Sequence, residues 1–182
     1  MNNITAVILA GGKSTRMKQD KALVKINNIS LLDHQIALLS PIFDSIIISS
    51  NIEYNKKNIF IKDIYIDKGP IGGIYSILQN IKTVKAFVIA VDMPFVSQEI
   101  IYSLIENSKN FDITIPIINN KIEPTCAIYS KSSIKIIEKQ IRDNNYRLTD
   151  FIKKSKTNYI KFNTDFLKNF RNLNTPNDIK NL

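Results

Sequence analysis

The sequence predicts an α/β fold with a mostly parallel central sheet and helices on both of its faces. Apolar, strand-like runs alternate with segments that carry apolar residues at helical spacing, and the links between them are short. Several runs are rich in Ile and continuously apolar, as strands are when helices bury both faces of a sheet. No linker, internal repeat or low-complexity tract divides residues 1–182, so we expect a single domain.

Periodicity and turn residues place the elements in chain order. The predicted strands cover residues 4–9, 45–49, 61–66, 86–91, 112–116, 125–129 and 159–162. The predicted helices cover residues 31–43, 71–81, 98–107, 132–141 and 147–154, with a short helix after Pro176. Asn119-Asn120 predicts a hairpin turn, after which the strand 125–129 returns antiparallel. Ser97 and Thr175 predict helix N-caps.

Composition narrows the class of protein. Hydrophobic residues make up 44% of the chain, as in ordinary globular proteins, and no apolar run could span a bilayer. The first residues lack the features of a signal peptide, and the single cysteine, Cys126, allows no intrachain disulfide. We therefore expect a cytoplasmic protein in which Cys126 is a buried small hydrophobe and the only histidine, His34, is structural.

The formal net charge of +9 favours an anionic partner. A nucleic-acid-binding protein would want a contiguous basic face, but the lysines are scattered and no dense basic run occurs. We therefore expect an anionic small ligand and neither nucleic acid nor a membrane. Many individual lysines reflect only the general bias of the chain toward Ile, Asn and Lys.

The end of the first strand carries the strongest functional signal. There the apolar run leads into Gly11 and Gly12, and Arg16 and Lys21 follow. Glycines let the backbone approach a ligand closely, while N–H groups and cationic side chains bind phosphate. Gly12-Lys13-Ser14 looks like the end of a Walker A motif, but that motif needs a glycine where Val7 stands within the strand. We therefore expect Arg16 and Lys21 to be the cations that bind the phosphate groups.

Polar residues also follow other predicted strands, at the edge of the sheet where ligands bind. Asp92 comes directly after an apolar strand and before Pro94, where it could hold Mg²⁺ or be a turn residue only. Asp67 precedes the Gly-rich segment 69–73, which could pack against a flat nucleobase or only allow the entry of a helix. Asn174 could donate an amide oxygen to a metal or pterin, or belong only to a helix start.

These motifs together resemble the molybdenum cofactor guanylyltransferases of the MobA family. The first motif comprises Leu9-Ala10-Gly11-Gly12, Ser14, Arg16-Met17 and Asp20-Lys21-Ala22-Leu23. The remaining segments comprise Asp67 with Gly69-Pro70-Ile71-Gly72-Gly73-Ile74, Asp92-Met93-Pro94-Phe95, Pro124-Thr125-Cys126-Ala127-Ile128 and Asn172-Leu173-Asn174-Thr175-Pro176. The resemblance spans nearly the whole chain and implies a three-layer, Rossmann-like nucleotidyltransferase fold.

The resemblance also implies roles for individual residues. It places Leu9, Ala10, Gly11, Lys21 and Asp67 at the nucleotide and Mg²⁺ on Asp92. Together with the residue patterns above, the predicted nucleotide-binding residues also include Gly12, Gly72 and Asn174, and the predicted catalytic residues are Arg16, Lys21 and Asp92. Two departures from the family pattern stand out. Lys18 replaces the usual glycine after Arg-Met, and the asparagine after the second strand aligns with Ser49, with Asn51 nearby. The resemblance leaves open which of these two contacts the nucleotide.

By this resemblance the chain transfers GMP from GTP to the phosphate of molybdopterin or its molybdenum-loaded form. Other proteins of molybdenum-cofactor biosynthesis and apo-molybdoenzymes are the implied partners. Mg²⁺, Arg16 and Lys21 would offset the charge of the two polyanions and of the departing pyrophosphate. Three alternatives stay open: a cytidylyltransferase for the same pterin, a sugar-phosphate nucleotidyltransferase, and a nucleotide-binding adaptor without turnover.

Overall fold

A computed structural model describes residues 3–11, 20–54, 57–65 and 68–180 of the chain. The strands in these ranges are Ile4–Leu9 (β1), Lys25–Ile26 (β2), Ile29–Ser30 (β3), Ile46–Ser49 (β4), Ile59–Ile61 (β5), Lys85–Ala90 (β6), Ile113–Ile118 (β7), Lys121–Ile122 (β8), Cys126–Ser130 (β9) and Thr157–Phe162 (β10). The α-helices are Leu31–Leu39 (α1), Gly69–Asn80 (α2), Gln98–Glu106 (α3), Ile134–Arg142 (α4), Leu148–Lys154 (α5) and Pro176–Lys180 (α6). Short 3-10 turns cover Lys21–Leu23, Lys131–Ser133 and Thr164–Phe170.

The central sheet has eight strands, seven of which follow the order β10-β7-β9-β6-β1-β4-β5, while β8 pairs with β7. Strand β1 pairs in parallel with both β4 and β6, and the outer pairs β4–β5 and β7–β10 are parallel as well. Strand β9 runs antiparallel between β6 and β7. The prediction of a mostly parallel sheet is confirmed, and β9 is antiparallel as predicted, while the short β8 adds a second antiparallel pairing with β7. Because the chain leaves β1 toward β4 on one side and comes back to β6 on the other, the order of strands reverses beside β1.

Helices cover both faces of the sheet and bury two separate apolar clusters. Side chains alternate along a strand, so Ala6 and Ile8 of β1 lie in one cluster while Val7 lies in the other. Helices α1 and α3 contribute to the first cluster, and α2, α4 and α5 to the second. The result is the expected three-layer arrangement.

Most differences from the predicted elements lie at the ends. Helix α1 stops at Leu39, two residues before Pro41, because proline has no amide hydrogen to donate to the Ala37 carbonyl and continue the helix. Strand β5 covers residues 59–61 rather than the predicted 61–66, and beyond it the Ile64 amide donates to the Ser76 hydroxyl of α2 at 2.7 Å. The segment 62–65 therefore turns toward α2 instead of extending the sheet.

Two asparagine pairs form tight hairpin turns. Asn119 and Asn120 have φ values of 49° and 60°, as a type I′ turn requires, but the strand that returns at once is the short β8. The longer β9 then enters between β6 and β7. A second turn at Asn27 and Asn28, with φ of 49° and 65°, joins β2 to β3 and was absent from the predicted elements.

The single cysteine and the single histidine both lie in regular secondary structure. Cys126 is fully buried, and burial raises the pKa of its thiol, so it is a core residue as expected. His34 lies in α1. In the described ranges, no helix has the length and apolarity needed to cross a membrane.

Candidate functional site

The carboxyl ends of β1, β4 and β6 are joined by backbone hydrogen bonds. The amides of Ala10 and Gly11 both donate to the Ser49 carbonyl, at 2.9 and 3.1 Å. On the other side, the Val91 amide donates to the Leu9 carbonyl at 3.1 Å. The glycine loop, which begins at Gly11, therefore leaves the sheet between the segments that carry Ser49 and Asp92, at the reversal of strand order.

Lys21 joins three distant segments at this edge. Its Nζ donates to Asp92 Oδ2 at 2.6 Å and to Asn174 Oδ1 at 2.8 Å. The side chains of Lys21 and Asp92 are only 22% and 16% exposed, so water screens the pair incompletely. The structure thus brings together three of the residues that the sequence singles out, and places a cation beside a carboxylate at the mouth of the site.

The backbone of Asp92 is held by the C-terminal part of the chain. Its carbonyl accepts from the Leu173 amide at 2.9 Å. Two residues on, Thr175 caps α6 as predicted: its Oγ1 accepts from the Asp178 amide at 3.3 Å, and Asp178 Oδ2 accepts from the Thr175 amide at 2.7 Å. Asn174 directly precedes the capped helix, and its side-chain oxygen accepts from Lys21, while its predicted contact to a metal or pterin stays a prediction.

Asp20 and Tyr54 fix the turn that carries Lys21. Asp20 Oδ1 accepts from the Ala22 amide at 3.0 Å, and Asp20 Oδ2 accepts from the Tyr54 hydroxyl at 2.7 Å. The same hydroxyl lies 3.5 Å from the Ala10 carbonyl. Burial and the adjacent Asp20 raise the pKa of Tyr54 to about 12, so the hydroxyl stays protonated and can donate. This contact links the Lys21 turn to the glycine loop.

Ser49 is buried at the end of β4, whereas Asn51 is exposed at the surface. The Ser49 hydroxyl hydrogen-bonds Asp63, which lies just after β5. Burial raises the pKa of the Asp63 carboxyl, and the bond from Ser49 partly opposes that effect. A β-carbon added at Gly73 would lie 3.6 Å from both Asp63 Oδ1 and a methyl of Leu9. Leu9, Ser49, Asp63 and Gly73 therefore form one group beside the carboxyl ends of β1 and β4.

The local packing explains why residue 72 is a glycine. A β-carbon at this position would lie 2.8 Å from the Tyr65 carbonyl oxygen and 3.2 Å from Lys68 Cβ. The first distance is shorter than atoms tolerate, so only glycine allows α2 to pass this close to the chain. The helix-entry interpretation of the Gly-rich segment thus has direct support at Gly72, while Gly73 has room for a methyl group.

Several predicted residues lie outside the described ranges. They are Gly12, Arg16 and Asp67, together with Lys13 and Lys18. Two residues of the described site were not predicted: Asp63 and Tyr54. Asp20 stood in the quoted motif without a role. Only Asp63 carried a usable signal, because it is a carboxylate after an apolar strand, but the predicted strand ran past it.

The described residues fit a divalent metal that arrives with a phosphate ligand. Asp92 and Asn174 offer a carboxylate and an amide oxygen, and both already contact a cation, the Lys21 ammonium. Mg²⁺ typically takes one or two carboxylates and completes its shell with phosphate oxygens and water. Across the described ranges, no group of three or more His, Cys, Asp or Glu side chains could hold a metal. An all-protein metal cage is therefore not formed by these residues.

Comparison with known proteins adds independent information. Residues 6–158 match the family model of the MobA-like NTP transferase domain. A protein of Clostridium perfringens named "Probable molybdenum cofactor guanylyltransferase" is 35% identical over 189 residues, covering 98% of this chain and 95% of the relative. A protein of the same name from Pelotomaculum thermopropionicum is 32% identical over 187 residues, covering 98% of this chain and 91% of the relative.

A solved structure supports the fold. The crystal structure of molybdopterin-guanine dinucleotide biosynthesis protein A from Archaeoglobus fulgidus superposes with a TM-score of 0.81. The alignment covers 97% of this chain and 95% of that one at 24% sequence identity. At this identity the likeness shows the fold, which agrees with the sheet order described above.

Proposed function

Because the chain belongs to the family of MobA-like NTP transferase domains, we propose that it transfers GMP from GTP to the phosphate of molybdopterin. The products are the guanine dinucleotide form of the cofactor and pyrophosphate. One observation carries the assignment of the site: Lys21, Asp92 and Asn174 meet at the strand-order reversal, beside the glycine loop. We take residues 1–182 as one catalytic domain acting in the cytoplasm.

The reaction needs positioning and charge rather than a strong base. An oxygen of the acceptor phosphate attacks the α-phosphorus of GTP, a new P–O bond forms, and the bond to the β-phosphate oxygen breaks. The electron pair leaves with pyrophosphate. Since the acceptor phosphate is already an anion, its repulsion from the triphosphate is the main obstacle. The cation of Lys21, and Arg16 from the loop, would offset that repulsion and the charge on the leaving group.

The backbone at the start of the glycine loop supports the assignment of phosphate binding to the residues that follow it. The amides of Ala10 and Gly11 donate to Ser49, so they hold the loop on the sheet. Phosphate contacts then fall to the loop residues that follow, Gly12 and Arg16 among them. A β-carbon on Gly11 would lie 3.7 Å from its nearest neighbours, an ordinary contact. The described neighbours of Gly11 therefore do not require a glycine there, which supports the proposal that a ligand approaches at this position.

Asp92 and Asn174 would hold the divalent metal, which we take to be Mg²⁺. When bound, this ion supplies Lewis-acid charge neutralisation on phosphate oxygens. The chain contributes the fixed direction of the Asp92 carboxylate, because the Leu173 amide holds its backbone. Lys21 contributes a second positive charge at the same carboxylate.

Asp63 would select the base, together with Ser49 and the leucine and glycine beside it. Guanine presents two adjacent donors, N1–H and the exocyclic amine, and a carboxylate can accept from both. Cytosine lacks that pair of donors, so a cytosine in this position would leave the half-buried carboxylate unsatisfied. Asp63 is half-buried, and this partial desolvation raises the pKa of its carboxyl. Asp67, predicted for the nucleotide site, lies four residues further along the chain and remains a candidate as well.

The decisive experiment measures pyrophosphate release from each of the four NTPs, with and without molybdopterin. We expect release with GTP only, and only when molybdopterin and Mg²⁺ are both present. Release with CTP would favour the cytidylyltransferase instead. Release from GTP with a sugar phosphate in place of the pterin would show a different acceptor. Tight GTP binding without any release would identify an adaptor.

A further inference from the structure

Gln35 is a fully buried polar residue whose amide contacts the turn that carries Asp92. It lies in α1 with 0% of its surface exposed. Its Nε2 donates to the Met93 carbonyl at 2.8 Å and lies 3.4 Å from the Ala90 carbonyl. Its Oε1 has no hydrogen-bond partner among the described residues. Burying an amide with half of its capacity unused costs free energy, so an apolar residue here would be expected unless the contact matters.

The two carbonyls that Gln35 contacts flank Asp92. Met93 closes the turn, because its amide donates to the Ala90 carbonyl at 3.2 Å. From the opposite side, the Asp92 carbonyl accepts from the Leu173 amide at 2.9 Å. The backbone around the carboxylate is therefore held between the helix before it and the C-terminal segment after it. With these contacts in place, the Cα–Cβ bond of Asp92 points in a fixed direction, because the backbone around it cannot rotate freely.

We propose that Gln35 is a positioning residue that holds the Asp92 turn ready for the metal and triphosphate. This inference rests on the proposed role of Asp92 in the transfer reaction. Groups behind a metal ligand that fix its orientation typically matter for metal affinity or activity by 10- to 100-fold when mutated. Gln35 acts on the backbone of the ligand rather than on its carboxylate, so we expect the lower end of that range.

The chain provides a matched control at Gln140. This residue of α4 is 1% exposed, its Nε2 donates to a backbone carbonyl, that of Arg147, at 2.8 Å, and its Oε1 also lacks a partner among the described residues. Gln140 packs on the other face of the sheet, away from Asp92. Replacing either glutamine by methionine removes the same hydrogen bond at nearly constant volume. A general effect of losing a buried amide should therefore be the same in both variants.

The first test needs no metal. Hydrogen exchange of the amides of Met93 and Leu173 is measured in the metal-free protein, for the wild type, Gln35→Met and Gln140→Met. We expect Gln35→Met to speed exchange at these two amides by roughly tenfold or more over Gln140→Met, as the loss of a local clamp should. Equal exchange in the two variants would overturn the proposal. If Gln35→Met does not fold, Gln35→Asn keeps a polar side chain but is too short to reach Met93, and it takes the same place.

The second test measures the Mg²⁺ concentration that gives half-maximal pyrophosphate release. We expect it to rise roughly tenfold in Gln35→Met and to stay at the wild-type value in Gln140→Met. A rise of the same size in both would mean that the effect is one of stability only, and would refute the positioning role. Asp92→Asn separates the two levels of argument: if it keeps wild-type Mg²⁺ dependence, the proposed metal site is wrong, whatever Gln35 does.

Discussion

Replacing Lys21 by methionine tests whether the cation serves the reaction or only the fold. The variant keeps the aliphatic part of the side chain but removes the contacts to Asp92 at 2.6 Å and to Asn174 at 2.8 Å. If Lys21 stabilises charge on the transferring phosphates, its loss should lower turnover by about 10²–10³, the effect of removing one preorganised contact. Folding should persist, because no apolar core residue changes.

The stability cost follows from burial of the pair. Exposed ion pairs contribute about 0–1 kcal/mol, while breaking a fully buried pair costs about 3–5 kcal/mol. With Lys21 and Asp92 at 22% and 16% exposure, we place the loss between these limits, at about 1–2 kcal/mol. Most of it should come from leaving Asp92 without its cation.

The double variant Lys21→Met/Asp92→Asn separates the two effects. Urea unfolding should show that much of the lost stability returns, because no unpaired charge remains. Pyrophosphate release should stay as low as in the worse single variant. A Lys21→Met protein within threefold of wild-type turnover at saturating Mg²⁺ would refute the catalytic role and leave Lys21 as a structural partner of Asp92.

Three further substitutions, two of them with a control variant, probe the surroundings of the site. Tyr54→Phe removes the hydrogen bond to Asp20, so it should lower the free energy of unfolding by about 1–2 kcal/mol and also lower turnover. The control Tyr129→Phe breaks a hydrogen bond of 2.6 Å to the Pro124 carbonyl. It should lower stability by a similar amount but leave turnover in the pyrophosphate assay unchanged. Asp63→Asn should raise Tm at pH 7, because burial raises the pKa of this carboxyl and ionising it costs free energy in the folded state. The gain in Tm should vanish as pH falls through the raised pKa toward the ordinary value of 3.8. An unchanged Tm at pH 7 would contradict this reasoning. Gly72→Ala should lower stability by about 1–3 kcal/mol in urea unfolding, while Gly73→Ala, with nothing closer than 3.6 Å, should be tolerated.

The order and type of the main elements could be predicted because apolar runs and helix caps are encoded in neighbouring residues. Continuous apolar runs marked the central strands β1 and β6, and Ser97 marked the start of α3, where its hydroxyl accepts from the Ile100 amide at 3.5 Å. The prediction failed where tertiary contacts decide. Residues 62–65 have strand-like alternation, but the bond from Ile64 to Ser76 draws them toward α2. The 3-10 turn at Lys21–Leu23 has no periodicity to recognise and depends on Asp20 as its cap.

Asp63 was missed because the predicted strand ran past it, but Lys21 and Asp92 could be found because one lies in a recognisable motif and the other follows an apolar strand. Their supports could not, since the partners are far apart in the chain. Tyr54 meets Asp20 across 34 residues, and Gln35 meets Met93 across 58. Nothing in the composition of α1 distinguishes a glutamine that holds a turn from one that faces solvent. That information exists only when the helix has packed on the sheet.

These supports explain how a site made of few charges can be ready before its substrates arrive. Lys21 is held through Asp20 by the buried Tyr54, and the turn of Asp92 is held by Gln35 and Leu173. Fixing both backbones in advance means that little ordering is left to be done when two polyanions bind, so the attraction of the cation is available to offset their repulsion. If that is correct, Tyr54→Phe and Gln35→Met should each lower turnover without removing a charge, and the double variant should fall further, since the two contacts hold opposite sides of one ion pair.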